Sequence, residues 1–244
     1  MIAVALLMLF AAGPEWVSIP SGTFTIGCDP TSACPERQKP RQVTVAKPFL
    51  MMSTEVTVGQ FRSFVKATGY RTVAEEQNFP WNWSKARSYK LNERQPAMYI
   101  TARDAESYCT WAGGRLPLES EWTWAFRANE TITGRLWWNT DDRYVWFREN
   151  SDYTPHPVAT KLPNAWGLYD MEGNAWEWTK SDPPDKVPYW IRGGSWIVCR
   201  RIEGAPTKEP SIDHGGYSRS GSDGLVHMRD DIGFRCVRDI PDNR

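Results

Sequence analysis

Gly167-Leu168-Tyr169-Asp170-Met171-Glu172-Gly173-Asn174-Ala175-Trp176-Glu177-Trp178 brings a turn, several oxygen donors and three aromatic anchors into one short stretch. Gly173 lets the backbone bend, Asp170 and Glu177 supply carboxylate oxygens, and carbonyls such as those of Gly173 and Ala175 can turn inward toward a hard cation. An all-oxygen donor set of this kind suits calcium. The same spacing also reads as a tight turn with two solvated acids, because acid-x-x-Gly segments are common in ordinary loops.

The remainder of the chain bounds what surrounds this stretch. With 244 residues and 41% hydrophobic content it can bury a sizeable core, which excludes intrinsic disorder. Lys plus Arg total 29 and so do Asp plus Glu, so no net field draws the chain to nucleic acid or to an anionic membrane. The 14 tryptophans are large rings of the kind wedged between the layers of an irregular fold.

The first residues, Met-Ile-Ala-Val-Ala-Leu-Leu-Met-Leu-Phe-Ala-Ala, form an apolar run too short to span a bilayer and followed by small residues. Residues 1–12 resemble a signal peptide, although no Lys or Arg precedes the run, and 13–244 are expected to form a single domain. Export would make the protein secreted or periplasmic, with no transmembrane anchor beyond the leader. Cys28 and Cys34 lie six residues apart in a loop holding Pro and Ser and could close a small disulfide. Cys109 falls on an expected helix, Cys236 on the last apolar strand, and Cys199 is left over. With no C-x-x-C pair and scattered histidines (His156, His214, His227), zinc and non-haem iron are not expected.

Short strands bounded by Gly or Pro are expected at 16–19, 23–26 and 42–45, a hairpin opening the domain. Thr57 and Gln60 form a capping box for a helix with the apolar stripe Phe61, Phe64 and Val65, ended by Gly69. Residues 70–97 lack periodicity and read as an ordered surface excursion. Thr101 caps a second helix lined by Ala105, Tyr108, Cys109 and Ala112 and stopped by Gly113-Gly114. A third helix is expected over 119–129, with Trp122, Ala125 and Phe126 inward. Beyond Gly134 loops dominate, with brief strands at 190–193 and 233–237. Helices in the middle of an irregular remainder describe a loop-rich α+β domain.

These pieces, taken in order, resemble the formylglycine-generating enzyme family, the sulfatase-modifying-factor domain with its C-type lectin-like fold. The matching landmarks are Ile19-Pro20-Ser21-Gly22-Thr23-Phe24, Glu55-Val56-Thr57, Tyr108-Cys109-Thr110-Trp111-Ala112-Gly113 and Arg115-Leu116-Pro117 before Glu119-Ser120-Glu121-Trp122. Pro163-Asn164-Ala165-Trp166-Gly167-Leu168-Tyr169-Asp170, Gly173-Asn174-Ala175-Trp176-Glu177-Trp178, Arg192-Gly193-Gly194-Ser195-Trp196 and Gly233-Phe234-Arg235-Cys236 complete the set. The resemblance implies a structural calcium at Asp170, Gly173, Ala175 and Glu177. The family's second calcium loop is not recognisable in 149–161, so one ion is expected. It further implies a Cys109–Cys236 disulfide and places Trp176 and Ser195 in the wall of a pocket.

Catalysis does not carry over. The family's oxidation of a substrate cysteine to formylglycine rests on two cysteines that bind copper(I), three residues past the serine of Gly-Gly-Ser and five further on. Counting from Ser195 reaches Val198 and Glu203, neither of which replaces a soft thiolate. Cys199, one residue away, is the candidate left for a reactive role and is a lone thiol. The expectation is therefore an exported binding or divergent module with a peptide, glycan or cell-envelope partner. The competing expectation is an oxidase of this family acting on a protein, a peptide or a maturing siderophore.

Overall fold

The computed structural model describes residues 15–26, 40–85, 92–128, 141–183, 188–197, 215–216 and 229–241. The leader, Cys28, Cys34, Val198, Cys199 and Glu203 lie outside them. In chain order the elements are β1 (Trp16–Ile19), β2 (Gly22–Ile26), β3 (Arg41–Val45), β4 (Phe49–Met52), α1 (Val58–Thr68), α2 (Val73–Glu76), α3 (Ala102–Trp111), α4 (Glu119–Arg127), β5 (Trp176–Lys180), β6 (Tyr189–Arg192), β7 (Gly215–Gly216), β8 (Ile232–Gly233) and β9 (Val237–Asp239). The class is α+β, as expected. No helix among the described residues is long and apolar enough to cross a membrane.

Local chemistry explains the helices. At α1 the Thr57 N–H donates to Gln60 Oε1 at 2.8 Å and the Gln60 N–H donates to Thr57 Oγ1 at 3.3 Å, while Gly69 closes the last turn at φ 68°. Thr101 and Asp104 build the same box at α3. The fully buried Asp104 also accepts the Tyr70 hydroxyl and the Val73 N–H, tying the surface excursion to that helix. Within the excursion Thr72 and Glu75 cap α2, a four-residue helix too short to leave a periodic signal. Helix α4 stops at Arg127, short of the expected 129, with Ala128 left-handed at φ 46°.

Among the described residues the strands assemble into three sheets. β1 pairs with β4 and β4 with β9, while β2 and β3 form their own antiparallel pair. The third sheet has the order β7-β6-β5-β8, with β5 and β8 parallel. The expected strand over 233–237 splits in two. Residues 234–236 cross from the third sheet to the first, with the Val56 N–H donating to the Phe234 carbonyl and the Met52 N–H to the Cys236 carbonyl. Residues 176–178, read as the end of a metal loop, instead open β5. Trp176, Glu177, Trp178 and Thr179 are all buried, so the alternation that marks a half-exposed strand is absent.

In the core Phe64 and Phe234 each meet Phe61 and Tyr108 edge to face, while Phe61 and Tyr108 stack, and Cys109 and Cys236 are joined inside that cluster with a Cα–Cα separation of 5.5 Å. Trp122 and Trp178 are among the largest fully buried side chains, whereas Trp81 and Trp111 depart from the expected core role and stand exposed.

Candidate functional site

The stretch from Gly167 to Asn174 is coiled by four left-handed residues, Gly167, Asp170, Gly173 and Asn174, at φ 84°, 53°, 77° and 57°. Backbone bonds from distant segments lock it, among them Tyr169 N–H to the Ser53 carbonyl, Gly173 N–H to the Gly193 carbonyl and Asn174 N–H to the Trp146 carbonyl. Gly173 is required sterically, because a Cβ there would sit 2.2 Å from the Trp146 carbonyl oxygen. The segment 149–161 is clamped on the same loop. His156 donates its N–H to Asn174 Oδ1 at 2.9 Å and stacks on Trp146 with ring centroids 3.6 Å apart, which makes it a packing residue.

The two acids are not solvated, which removes the simple-turn reading: Asp170 is 3% exposed and Glu177 is 0% exposed. Asp170 Oδ2 accepts the Ala159 N–H at 2.8 Å, while its buried Oδ1 has no hydrogen-bond partner. Burial lifts the Asp170 carboxyl to about 6. Glu177 is pinned differently. Its Oε2 accepts both the Trp122 indole N–H and the Arg235 Nε–H at 2.7 Å, and its Oε1 accepts an Arg235 Nη2–H at 2.6 Å. One acceptor position is left on Oε1, since each carboxylate oxygen carries two lone pairs.

Two residues of this centre carried no chemistry in the sequence reading. Arg235 is fully buried and also donates to the carbonyls of Tyr169, Met52 and Ser53. Glu55 is fully buried, accepts the Ala175 N–H at 3.2 Å and an Asn174 Nδ2–H at 3.3 Å, and has its carboxyl pushed well up by burial and then by Asp170 and Glu177. Both sat in quoted motifs, but nothing local tells that their partners lie across the fold. No three His, Cys, Asp or Glu side chains among the described residues form a group able to hold a metal. A cation here therefore needs backbone carbonyls beside the orphaned Asp170 Oδ1 and the remaining Glu177 position. Such an oxygen-only set fits a hard ion.

Trp176 and Ser195, the expected pocket residues, meet on a third residue, Asp231. The Trp176 N–H donates to the Asp231 carbonyl at 2.9 Å, and Ser195 Oγ donates to Asp231 Oδ2 at 2.8 Å. Arg229 Nη2 donates to the same oxygen at 2.8 Å, Asp231 Oδ1 is buried without a partner, and burial raises the carboxyl. The neighbouring Tyr99 is held left-handed at φ 57° by its N–H bond to the Arg229 carbonyl. Asp231 was missed because a lone acid beside Asp230 looks like a solvated surface pair. Trp196, next to Ser195 in the chain, is buried and donates its backbone N–H to the Asn174 carbonyl.

Comparison with known proteins places this architecture. The sulfatase-modifying factor enzyme 1-like domain matches residues 9–240. The formylglycine-generating enzyme of Mus musculus is 30% identical over 275 residues, covering 91% of this chain and 69% of that protein. The inactive C-alpha-formylglycine-generating enzyme 2 of Mus musculus is 29% identical, covering 93% and 86%. Among solved structures, PvdO from Pseudomonas aeruginosa superposes with a TM-score of 0.69 at 24% identity, covering 93% of this chain and 95% of that one, a likeness of fold.

Proposed function

From the premise that the chain belongs to the sulfatase-modifying factor enzyme 1-like domain family, we propose that it is an exported, calcium-stabilised module that binds a peptide, glycan or cell-envelope partner and does not make formylglycine. One observation carries the reading. The positions three and eight residues beyond Ser195, where the family chemistry requires thiolates for copper(I), hold Val198 and Glu203. Copper does not fit that donor set. A relative whose name marks it as an inactive formylglycine-generating enzyme supports a non-catalytic role for such a scaffold. The joined Cys109 and Cys236 support an oxidising compartment.

The test is a sulfatase-type Cys-x-Pro-x-Arg peptide incubated aerobically with the protein and copper, followed by mass spectrometry. No conversion of the thiol to an aldehyde is expected. Turnover in the wild type that disappears in Cys199→Ser would replace the binding reading with the oxidase one.

Calcium is tested separately. An ion that binds the native state alone stabilises it by about 2.7 kcal/mol at a hundredfold excess over Kd. For a chain of this size that corresponds to a fall in Tm of roughly 5–10 °C on chelation. Asp170→Ala should melt at the chelated temperature with or without calcium. A melting curve indifferent to chelator, with no metal by elemental analysis, removes the ion from the proposal.

A further inference from the structure

Beyond α2 the surface excursion carries Phe79-Pro80-Trp81-Asn82-Trp83, three aromatic rings and a proline within five residues. Phe79 is 43% exposed, Trp81 is 56% exposed, and Pro80 between them is exposed as well. Large apolar side chains scattered singly over a surface are normal, but adjacent ones on a fixed loop point to a contact surface. This loop is fixed at both ends. The Phe79 N–H donates to the carbonyl of Ala74 in α2, and on the far side Asn82 Oδ1 accepts the N–H groups of Ser84 and Lys85 and the Ser84 hydroxyl. Trp83 is buried edge to face against Phe61 of α1, with ring centroids 5.2 Å apart. Rings presented on a backbone held in this way lose little freedom when a partner covers them.

Among the buried side-chain polar atoms described between residues 70 and 85, only the indole Nε1–H of Trp83 has no partner. A buried donor left unmade is costly, so what the loop lacks is an acceptor. The side chains of Phe79, Pro80 and Trp81, in turn, offer no acceptor to a ligand's own donors. A ligand that fits both facts is apolar in its flanks, rich in carbonyl oxygens and poor in donors. Proline-rich polypeptide has that chemistry: each proline lacks an N–H, keeps its carbonyl, and holds the extended polyproline helix before binding. Aromatic-lined grooves receive such segments. A glycan fits less well, since each hydroxyl brings a donor that the strip does not accept. Resting on the binding-module reading above, we propose that the Phe79–Trp83 strip docks a proline-rich extended segment of the partner. Proline rings lie on Phe79 and Trp81, and a partner carbonyl takes the Trp83 indole N–H.

The experiment titrates the full chain with a decaproline peptide by calorimetry, and with a Gly-Ser decapeptide as the flexible control. The wild type should bind decaproline and not the control. Trp81→Ala, at an exposed position, should keep the wild-type Tm and weaken decaproline binding at least about tenfold. Trp83→Phe keeps a ring against Phe61 and removes the N–H, and should weaken binding about threefold to tenfold. Decaproline that binds no tighter than the Gly-Ser peptide overturns the proposal, as does wild-type affinity in Trp81→Ala. Wild-type affinity in Trp83→Phe overturns the role given to the indole N–H. Binding of chitohexaose in place of decaproline overturns the proposal in favour of a glycan and leaves the binding-module reading standing. That reading falls instead to turnover of the sulfatase-type peptide, an outcome these titrations do not share.

Discussion

Arg235→Met is expected to destabilise the protein by about 3–5 kcal/mol, the range for breaking a buried ion pair from one side. The mechanism is removal of a guanidinium that faces Glu55, Asp170 and Glu177 together. The same substitution frees the carbonyls of Met52 and Ser53 at the end of β4 and of Tyr169 in the 167–174 coil, two separate segments that Arg235 now holds together. Arg235→Lys should recover little, since a point charge cannot reproduce the fork of bonds to both Glu177 oxygens. The double variant Arg235→Met/Glu177→Leu should be less destabilised than the sum of the single variants, as a pair that stabilises only when complete requires. Urea unfolding of the four proteins in chelator measures this. Additive losses would mean that the two side chains contribute independently.

The second large effect concerns the covalent tie. Cys109 and Cys236 are separated by 127 residues, and closing a loop of that length removes entropy from the unfolded chain equivalent to about 5 kcal/mol. Reduced wild-type protein, denatured with reductant and refolded under it, should therefore melt roughly 10–20 °C below the oxidised form. Cys109→Ala/Cys236→Ala should fall slightly further, because both sulfurs are fully buried and alanine leaves small voids. Oxidised and reduced proteins melting together would show that the bond is not formed in the folded protein.

The elements readable in advance are those whose information is local. The Thr57 and Thr101 caps each act over three residues, and the helices they open begin where the spacing predicts. Strand β4 went unread because Phe49, Met51 and Met52 are buried and its register is set by β1 and β9, which lie at opposite ends of the chain. The Cys109–Cys236 pairing followed only from family resemblance, since spacing left several partners open.

The sequence by itself determined the α+β class, the N-terminal caps of α1 and α3, the glycine at 173 and the oxygen-bearing character of the 170–177 stretch, because each depends on intrinsic backbone preference or side-chain type. Tertiary structure alone decided which of those oxygens are engaged. Glu177 is taken up by Trp122 and Arg235, 55 and 58 residues away, while Asp170 keeps one oxygen open. Glu55 joins the centre from 120 residues before Ala175. The reason is physical: a carboxylate's charge, partners and pKa follow from the water it has lost and the groups packed against it, and both are set by contacts between distant segments.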